Sequence, residues 1–239
     1  MIEEAVILAG GLGTRLRSVV SDVPKPMAPV SGRPFLHWLL DNLGKQGIKR
    51  IVLAVGYMAD KIIDDLGENY RGIDLFYSVE QKPLGTGGAI WKALELCSSN
   101  KTFVLNGDTW LNAPLAEVSS SFPNADIIMS VKEVKSQDRF GGVKLEGDRI
   151  VGLNPQIQRQ GPVLINAGLY VFRKDLLKRL AMPESFSLEN EIFLHPRSLD
   201  VRAHICNGTF LDIGTPGDYQ RAQTMIPNWV KIHEQSVVS

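Results

Sequence analysis

A run of glycines near the start of the chain has the residue types needed to bind phosphate. Gly10, Gly11 and Gly13 directly follow Ala5-Val6-Ile7-Leu8-Ala9, an apolar run typical of a buried strand. Glycines at the carboxyl end of a strand let backbone N–H groups approach a ligand closely, and adjacent N–H groups suit phosphate oxygens. A P-loop needs Gly-Lys-Ser/Thr where the chain has Thr14-Arg15-Leu16, and a dinucleotide fingerprint needs glycine in place of Leu16. The sequence therefore indicates a phosphate-binding loop of another kind.

Two cations accompany this loop. Arg15 lies within it, and Lys25 follows between Pro24 and Pro26, which hold the backbone in an extended, non-helical conformation. A lysine in a loop is usually only solvated. An arginine fork and a rigidly presented ammonium group could, however, bracket a triphosphate from two sides. We therefore expect Arg15 and Lys25 to contact phosphate.

Two aspartates offer hard oxygen ligands. Asp108 follows a predicted strand at 102–105 through Gly107, which places its carboxylate at the carboxyl edge of the sheet, where open α/β sheets bind ligands. Asp212 comes far later in the chain, just before a predicted helix. An aspartate at a strand end is more often a helix cap or turn former, whereas a pair of carboxylates suits Mg²⁺ that binds substrate phosphates. The residues alone leave both interpretations open.

Alternating apolar and amphipathic segments must position these side chains. The first half alternates strand and helix, which predicts a Rossmann-like, mostly parallel sheet flanked by helices on both faces. From Asp126 onward the strands are closely spaced, with a hairpin turn at Gly147-Asp148, and this predicts a smaller β-rich portion. The predicted strands are 5–9, 51–55, 73–79, 102–105, 127–131, 143–145 and 165–172. The predicted helices are one opened by Pro34, then 59–66, 86–97, 175–180 and 188–193, and a last one with Thr215 as cap and Pro216 at its first position.

The composition excludes several classes of protein. The 239 residues include 26 Lys and Arg against 26 Asp and Glu, and this balance argues against a protein that binds nucleic acid through its phosphate backbone. Cys97 and Cys206 match no metal-ligand spacing. The start Met1-Ile2-Glu3-Glu4 lacks the basic residues of a secretory signal, and no apolar run approaches the roughly 18 residues of a membrane span. We expect a cytoplasmic protein without a membrane partner, and the strands after Asp126 leave a homo-oligomer possible.

Motifs along nearly the whole chain occur in the order found in one enzyme family. Residues 10–16 followed by Pro24-Lys25-Pro26-Met27 resemble the signature of the sugar-1-phosphate nucleotidyltransferases. The further matching segments are 83–88, Asn106-Gly107-Asp108, Asn166-Ala167-Gly168-Leu169-Tyr170, Ser187-Leu188-Glu189 and Asp212-Ile213-Gly214-Thr215-Pro216. Segments 15–20, 24–29 and 210–222 are most similar to the branch of D-glycero-α-D-manno-heptose 1-phosphate guanylyltransferases. The resemblance implies a nucleotide-diphospho-sugar transferase fold in one domain, 1–239, in which 1–125 mainly bind the nucleotide and 126–239 mainly bind the sugar.

The implied reaction is attack of a sugar 1-phosphate oxygen on the α-phosphorus of a nucleoside triphosphate, which releases pyrophosphate. In this branch the donor is GTP and the product is GDP-heptose for surface-glycan assembly. Two polyanions repel each other, so the site needs positive charge and positioning more than a nucleophilic side chain. The resemblance implies that Arg15 and Lys25 supply this charge together with Mg²⁺ held by Asp108 and Asp212.

The resemblance also implies residues for the nucleotide and the sugar. Glu80, Gln81 and the Gly85 backbone correspond to the base-reading loop, because amide, carboxylate and peptide groups can match the edge of a base. The full implied set for the nucleotide is Leu8, Ala9, Gly10, Gly11, Gly13, Thr14, Glu80, Gln81, Gly85, Thr86 and Gly107. The implied set for the sugar is Gly142, Asn166 and Glu189.

The chain departs from the family at one place. Many members carry Glu-Lys-Pro after the strand that begins near Ile150, and their lysine grips the sugar phosphate. This chain instead reads Gly152-Leu153-Asn154-Pro155-Gln156. We hypothesise that Arg159, in the loop that follows, replaces the missing charge.

Two alternatives to the heptose enzyme stay open. One is a guanylyl- or uridylyltransferase that acts on mannose 1-phosphate or another hexose 1-phosphate. The other is a homologue that senses sugar nucleotides without turnover. The presence of Arg15, Lys25, Asp108 and Asp212 argues against a sensor.

Overall fold

A ten-stranded mixed sheet forms the centre of the protein, and helices cover both of its faces. The computed structural model describes residues 1–135, 141–154, 161–196 and 198–238. The strands are β1 Glu4–Leu8, β2 Pro29–Val30, β3 Arg33–Pro34, β4 Arg50–Val55, β5 Asn69–Tyr70, β6 Ile73–Val79, β7 Lys101–Asn106, β8 Thr109–Leu111, β9 Ile127–Val134, β10 Gly142–Glu146, β11 Arg149–Asn154, β12 Val163–Arg173, β13 Val201–Ile205 and β14 Phe210–Asp212. The α-helices are α1 Phe35–Lys45, α2 Ala59–Leu66, α3 Gly85–Glu95, α4 Leu115–Ser121, α5 Leu176–Arg179 and α6 Pro216–Val238, and there are a 3₁₀ turn, Lys25–Met27, and a π-helix, Glu189–Phe193.

The first half of the chain forms the parallel part of the sheet. Strands β7, β1, β4 and β6 lie side by side in that order and are all parallel. Leu8, the last residue of β1, pairs with Ala54 on one side and with Asn106 on the other. The carboxyl ends of three strands are therefore level, and the segments that follow them meet at one edge of the sheet.

The second half adds the β-rich portion that the strand spacing predicts. Strand β12 pairs antiparallel with both β7 and β9, and β13 runs parallel to β9 on its far side. Strands β10 and β11 form a hairpin whose turn includes Gly147 with φ +61°. The sheet is thus continuous from one half of the chain to the other.

Two apolar cores, one on each face, hold the helices to the sheet. Alternate residues of β1 face opposite sides, so Val6 packs in the core beneath α3 while Ile7 packs in the core beneath α1, α2 and α6. Both side chains are fully buried. A strand buried on both faces must be apolar throughout, which is why β1 and β4 read as continuous apolar runs.

Five short or irregular elements differ from the sequence expectations. Strands β8 and β14 have three residues each, and β13 has five. All three carry little of the apolar–polar alternation by which a strand is recognised. The predicted helix at 188–193 is present as a π-helix, and α4 was not expected. Among the described helices, none combines the length and the apolar character that crossing a membrane requires.

Candidate active site

A cleft of about 660 Å³ lies at the edge of the sheet where the parallel strands end. It brings together most of the side chains and backbone segments that the sequence indicates. The predicted site residues that line it are Leu8, Gly10, Gly11, Gly13, Thr14, Arg15, Lys25, Glu80, Gln81, Gly85, Thr86, Gly107, Asp108 and Glu189. Residues that the sequence analysis did not single out also line it, among them Gly56, Tyr57 and Lys82. Gly56 and Tyr57 could have been predicted, because they directly follow β4 and therefore lie at the edge of the sheet where its parallel strands end.

Four predicted residues lie outside this lining. The side chain of Ala9 is buried in the core, and its N–H donates to the Ala54 carbonyl oxygen. Gly142 is buried in β10, where it pairs with Asn154 and Ile165. Asp212 and Asn166 stand behind residues that do line the cleft, and their contacts follow below.

A cluster of one lysine and two aspartates lies in the cleft beneath the glycine loop. Lys25 Nζ donates to Asp108 Oδ2 at 2.5 Å and lies 3.6 Å from Asp212 Oδ1. The Lys25 side chain is only 10% exposed, so the ammonium group is largely shielded from water. Because both carboxylates meet the same ammonium group, they are close neighbours in space.

The small sheet of β8 and β14 brings the two aspartates together. Asp212 pairs with Thr109, the residue that follows Asp108, and the Ile213 N–H donates to the Asp108 carbonyl oxygen at 3.0 Å. The Gly214 N–H donates to Asp212 Oδ1 at 2.5 Å, which fixes the direction of that carboxylate. The contacts of Asp212 with Thr109 and of Ile213 with Asp108 are backbone contacts between the two strands, so two aspartates far apart in sequence are held at a set distance.

Gly214 leaves room for this cluster. A Cβ atom at this position would lie 2.7 Å from Asp212 Oδ1 and 2.8 Å from Lys25 Nζ, which is closer than real Cβ atoms approach such atoms. A larger residue would therefore displace the carboxylate or the ammonium group. The site depends on glycine here for space.

The donor set at this cluster fits Mg²⁺. Within the described parts of the chain, no group of three or more His, Cys, Asp or Glu side chains is arranged to hold a metal ion. Mg²⁺ does not need such a cage, because it keeps several waters and binds through one or two carboxylates plus substrate phosphates. Asp108 and Asp212 already converge on a positive charge, that of Lys25. Their oxygen atoms are therefore placed where a divalent cation would be stable.

The glycine loop presents Arg15 on the open side of the cleft. Arg15 is exposed and, among the described residues, forms no hydrogen bond or ion pair. The loop is tied to the neighbouring turn by Arg17, whose guanidinium lies 4.7 Å from the Tyr57 ring centroid and whose Nε donates to the Leu12 carbonyl oxygen. The loop is thus anchored by one arginine while the other is free to reach a ligand.

Glu80 lines the cleft beside Gly10. Its Oε2 accepts the Leu84 N–H at 3.0 Å, and Oε1 lies 2.8 Å from where a Cβ on Gly10 would stand. Burial raises the pKa of the Glu80 carboxyl, although the Leu84 N–H and the nearby Lys92 oppose this shift. Oε1 accepts no hydrogen bond from any described residue and is available to a ligand.

Asn166 and Glu189 both come from the second half of the chain. Asn166 Nδ2 donates to the Tyr170 hydroxyl at 2.7 Å, and its Oδ1 accepts the Gly168 N–H at 3.0 Å. Burial raises the pKa of the Tyr170 hydroxyl, and the charges of Glu189 and Asp108 act in the same direction. Asn166 is therefore held by buried partners behind the cleft, while Glu189 lines it. Arg159 lies outside the described residues.

Comparisons with known proteins agree with this geometry. The model of the family described as "Nucleotidyl transferase" matches residues 4–228. The chain is 40% identical to the D-glycero-α-D-manno-heptose 1-phosphate guanylyltransferase of Campylobacter jejuni, over 90% of this chain and 96% of the relative. It is 39% identical to the enzyme of the same name from Aneurinibacillus thermoaerophilus, over 95% of this chain and all of the relative.

A solved structure has the same fold. The crystal structure of HddC from Yersinia pseudotuberculosis, complexed with GMP-PN, superposes with a TM-score of 0.83 at 36% sequence identity and covers 93% of this chain and 98% of that one. The expected fold, a central sheet flanked by helices with a β-rich portion, is confirmed by this likeness and by the sheet described above.

Proposed function

Because the chain belongs to the nucleotidyl transferase family, we propose that it transfers GMP from GTP to D-glycero-α-D-manno-heptose 1-phosphate. The products are GDP-heptose and pyrophosphate, and the reacting pair is an oxygen of the sugar phosphate and the α-phosphorus of GTP. The observation that carries the reaction type is Lys25 held between Asp108 and Asp212 in the cleft under the glycine loop. The full-length identity to two heptose enzymes supports the choice of sugar.

The cations of the cleft oppose the repulsion between the two substrates. Arg15, free and exposed, binds the β- and γ-phosphates and the pyrophosphate that departs. Lys25, shielded from water, contacts the phosphate at the reacting centre, where a low local dielectric strengthens its charge. Holding both phosphates in line for attack converts a reaction between two molecules into one within a complex.

Mg²⁺ is the metal that the donor set favours. When bound to Asp108 and Asp212, it supplies further positive charge at the α-phosphate. The chain itself contributes the two carboxylates, fixed by the β8–β14 pairing and the Gly214 N–H.

Glu80 supports guanine as the base. A carboxylate only accepts hydrogen bonds, and guanine presents the N1–H and the N2 amino group as adjacent donors. Oε1 of Glu80 is available for one of these donors, while Oε2 is held by Leu84. Gln81 and Gly85 also line the cleft, and we assign them to the same base site. A site built to accept a hydrogen bond from a base N–H rejects bases without that N–H, because the buried acceptor of the site is then left unpaired.

The sugar belongs at the end of the cleft near Glu189. Glu189 and, through its amide, Asn166 offer groups that can bind sugar hydroxyls, and they come from the second half of the chain. Gly142, buried in β10, is proposed to act only through close backbone approach. We thus assign 1–125 mainly to the nucleotide and 126–239 mainly to the sugar and to the second metal carboxylate.

Pyrophosphate release over a panel of nucleoside triphosphates and sugar 1-phosphates tests the proposal. We expect the highest kcat/KM for GTP with the heptose 1-phosphate, and loss of turnover when EDTA removes the divalent metal. Nucleotide binding without turnover of any pair would favour a sensor instead.

Mannose 1-phosphate is the second candidate acceptor. The chain is 32% identical to the mannose-1-phosphate guanylyltransferase of Mycobacterium tuberculosis, over 91% of this chain and 63% of the relative. A higher kcat/KM for mannose 1-phosphate than for the heptose in the same panel would select this candidate.

A further inference from the structure

Two hydroxyl groups converge on one oxygen of Glu189. Thr86 Oγ1 lies 2.6 Å from Glu189 Oε2, and Ser187 Oγ lies 2.9 Å from the same atom. Thr86 comes from the first turn of α3, directly after Gly85, whereas Ser187 and Glu189 belong to the segment that opens the π-helix. A carboxylate in the cleft is thus held by residues from both halves of the chain.

The direction of each hydrogen bond follows from the backbone. Thr86 Oγ1 accepts the Leu188 N–H at 2.9 Å, and Ser187 Oγ accepts the Asn190 N–H at 3.2 Å. Backbone N–H groups can only donate, so each hydroxyl directs its single proton to Glu189 Oε2. Oε2 is therefore occupied by two donors, while Oε1 receives no bond from any described residue.

The two segments are packed against each other so closely that the arrangement has little freedom. The Phe186 N–H donates to the Leu84 carbonyl oxygen at 2.9 Å, and the Gly87 N–H donates to the Phe186 carbonyl oxygen at 3.0 Å. A Cβ atom on Gly87 would collide with the Phe186 ring, and one on Gly88 would collide with the Glu184 carbonyl oxygen. The glycines that follow Thr86 thus serve to bring the π-helix segment against α3.

We propose that Thr86, with Ser187, is a positioning residue that holds Glu189 so that Oε1 faces the cleft and accepts a hydrogen bond from a hydroxyl of the sugar. This assignment differs from the sequence expectation that Thr86 binds the nucleotide. It rests on the proposed function, because it assumes that the sugar 1-phosphate occupies the end of the cleft at Glu189. A carboxylate with one fixed oxygen presents the other in one direction, which favours hydroxyls at one position of the ring.

Thr86→Val tests the proposal, since valine keeps the shape of threonine and removes its hydroxyl. We expect KM for the sugar 1-phosphate to rise about tenfold, the usual effect of losing a hydrogen bond to a charged group. KM for GTP should stay within about twofold, because the Thr86 hydroxyl is engaged by Glu189 and the Leu188 N–H. Thr86→Ser, which keeps the hydroxyl, should restore the wild-type values. In a Glu189→Gln background the Thr86→Val change should have a much smaller effect on KM.

Thr224→Val is the matched control, because the Thr224 side chain is exposed on α6 and its hydroxyl, among the described residues, bonds only to the Arg221 carbonyl oxygen at 3.3 Å. It should leave both KM values unchanged. A rise in KM for GTP in Thr86→Val, or no change in either KM, would overturn the positioning role.

A crystal structure of Thr86→Val separates this proposal from the proposed function, because it needs no turnover. We expect the Glu189 carboxylate to leave its wild-type orientation. A carboxylate that keeps the wild-type orientation would overturn the positioning role even if the enzyme transfers nucleotides. Absence of turnover in the wild-type protein, with a displaced carboxylate in the variant, would overturn only the proposed function.

Discussion

Replacing Lys25 by methionine removes the cation that the structure places between Asp108 and Asp212. Methionine has nearly the length of the lysine side chain, so the change removes charge with little loss of volume. The Nζ atom lies 2.5 Å from Asp108 Oδ2 and is largely buried, so this contact is a shielded, charge-assisted hydrogen bond. The contact with Asp212 Oδ1 at 3.6 Å is beyond hydrogen-bond length and contributes less.

The expected effects on stability and on rate differ in origin. Loss of a hydrogen bond to a charged group lowers the free energy of unfolding by about 2 kcal/mol. For a chain of this size that corresponds to a fall in Tm of about 4–8 °C. Loss of positive charge at the reacting phosphate removes about 2–4 kcal/mol of transition-state stabilisation, or about 10²–10³ in kcat.

Thermal unfolding without divalent metal and pyrophosphate release at saturating Mg²⁺ measure the two effects of Lys25→Met. Lys49→Met is the matched control, because Lys49 pairs with Glu3 at 2.7 Å while 68% exposed and outside the cleft. Exposed pairs contribute about 0–1 kcal/mol, so the control should change Tm slightly and kcat not at all. A folded Lys25→Met protein with kcat within threefold of wild type would refute the assignment of Lys25 to the reacting phosphate.

Three further substitutions test other parts of the cleft. Asp108→Asn should fold normally and lower the Mg²⁺-dependent kcat by about 10²–10³, and wild-type activity over a Mg²⁺ titration would remove the metal assignment. Burial raises the pKa of Glu80. As the pH falls, this carboxylate should therefore become protonated at a higher pH than an exposed glutamate does, and its protonation should raise KM for GTP. Glu80→Gln should abolish this rise in KM at low pH. It should also reduce the ratio of kcat/KM for GTP to kcat/KM for ITP, because ITP lacks the N2 amino group. Gly214→Ala should lower kcat about tenfold or more by displacing Asp212 or Lys25, and unchanged pyrophosphate release would show that the site tolerates a Cβ there.

The parallel half of the fold was open to prediction because its signals are strong. Strands β1 and β4 are buried on both faces and read as continuous apolar runs, and the glycines after β1 mark a ligand edge. Open α/β sheets bind ligands at the carboxyl ends of their strands, so Gly107 and Asp108, which follow β7, were expected at the same edge as the glycine loop. These residues do line one cleft.

The partnership of Asp108 with Asp212 depends on elements too short to predict. Strands β8 and β14 have three residues each, which is less than the window in which alternation can be recognised. Their pairing sets Asp212 opposite Thr109, and no local pattern in either segment specifies that register. The family resemblance could name both aspartates, but only the backbone pairing explains why they meet.

The link between Thr86 and Glu189 lay beyond prediction for a similar reason. Thr86 stands in a glycine-rich segment that resembles a nucleotide loop, so its position in sequence gave no sign that its hydroxyl bonds to Glu189. The hydrogen bond to Glu189 joins residues from the two halves of the chain, and it exists because Gly87 and Gly88 admit the segment around Phe186.

The neutral overall charge of the chain is compatible with a polyanionic substrate because of how charge is distributed locally. At the reacting centre, one ammonium group, Lys25, meets two carboxylates, Asp108 and Asp212, so this cluster alone carries a formal negative charge. Such a cluster would repel a triphosphate, and the positive charge of the exposed Arg15 brings the formal sum only to zero. A divalent cation on the two carboxylates reverses the sign of the cluster and leaves Lys25 free for phosphate. The arrangement of these charges therefore supports the proposal that a divalent metal accompanies the nucleotide.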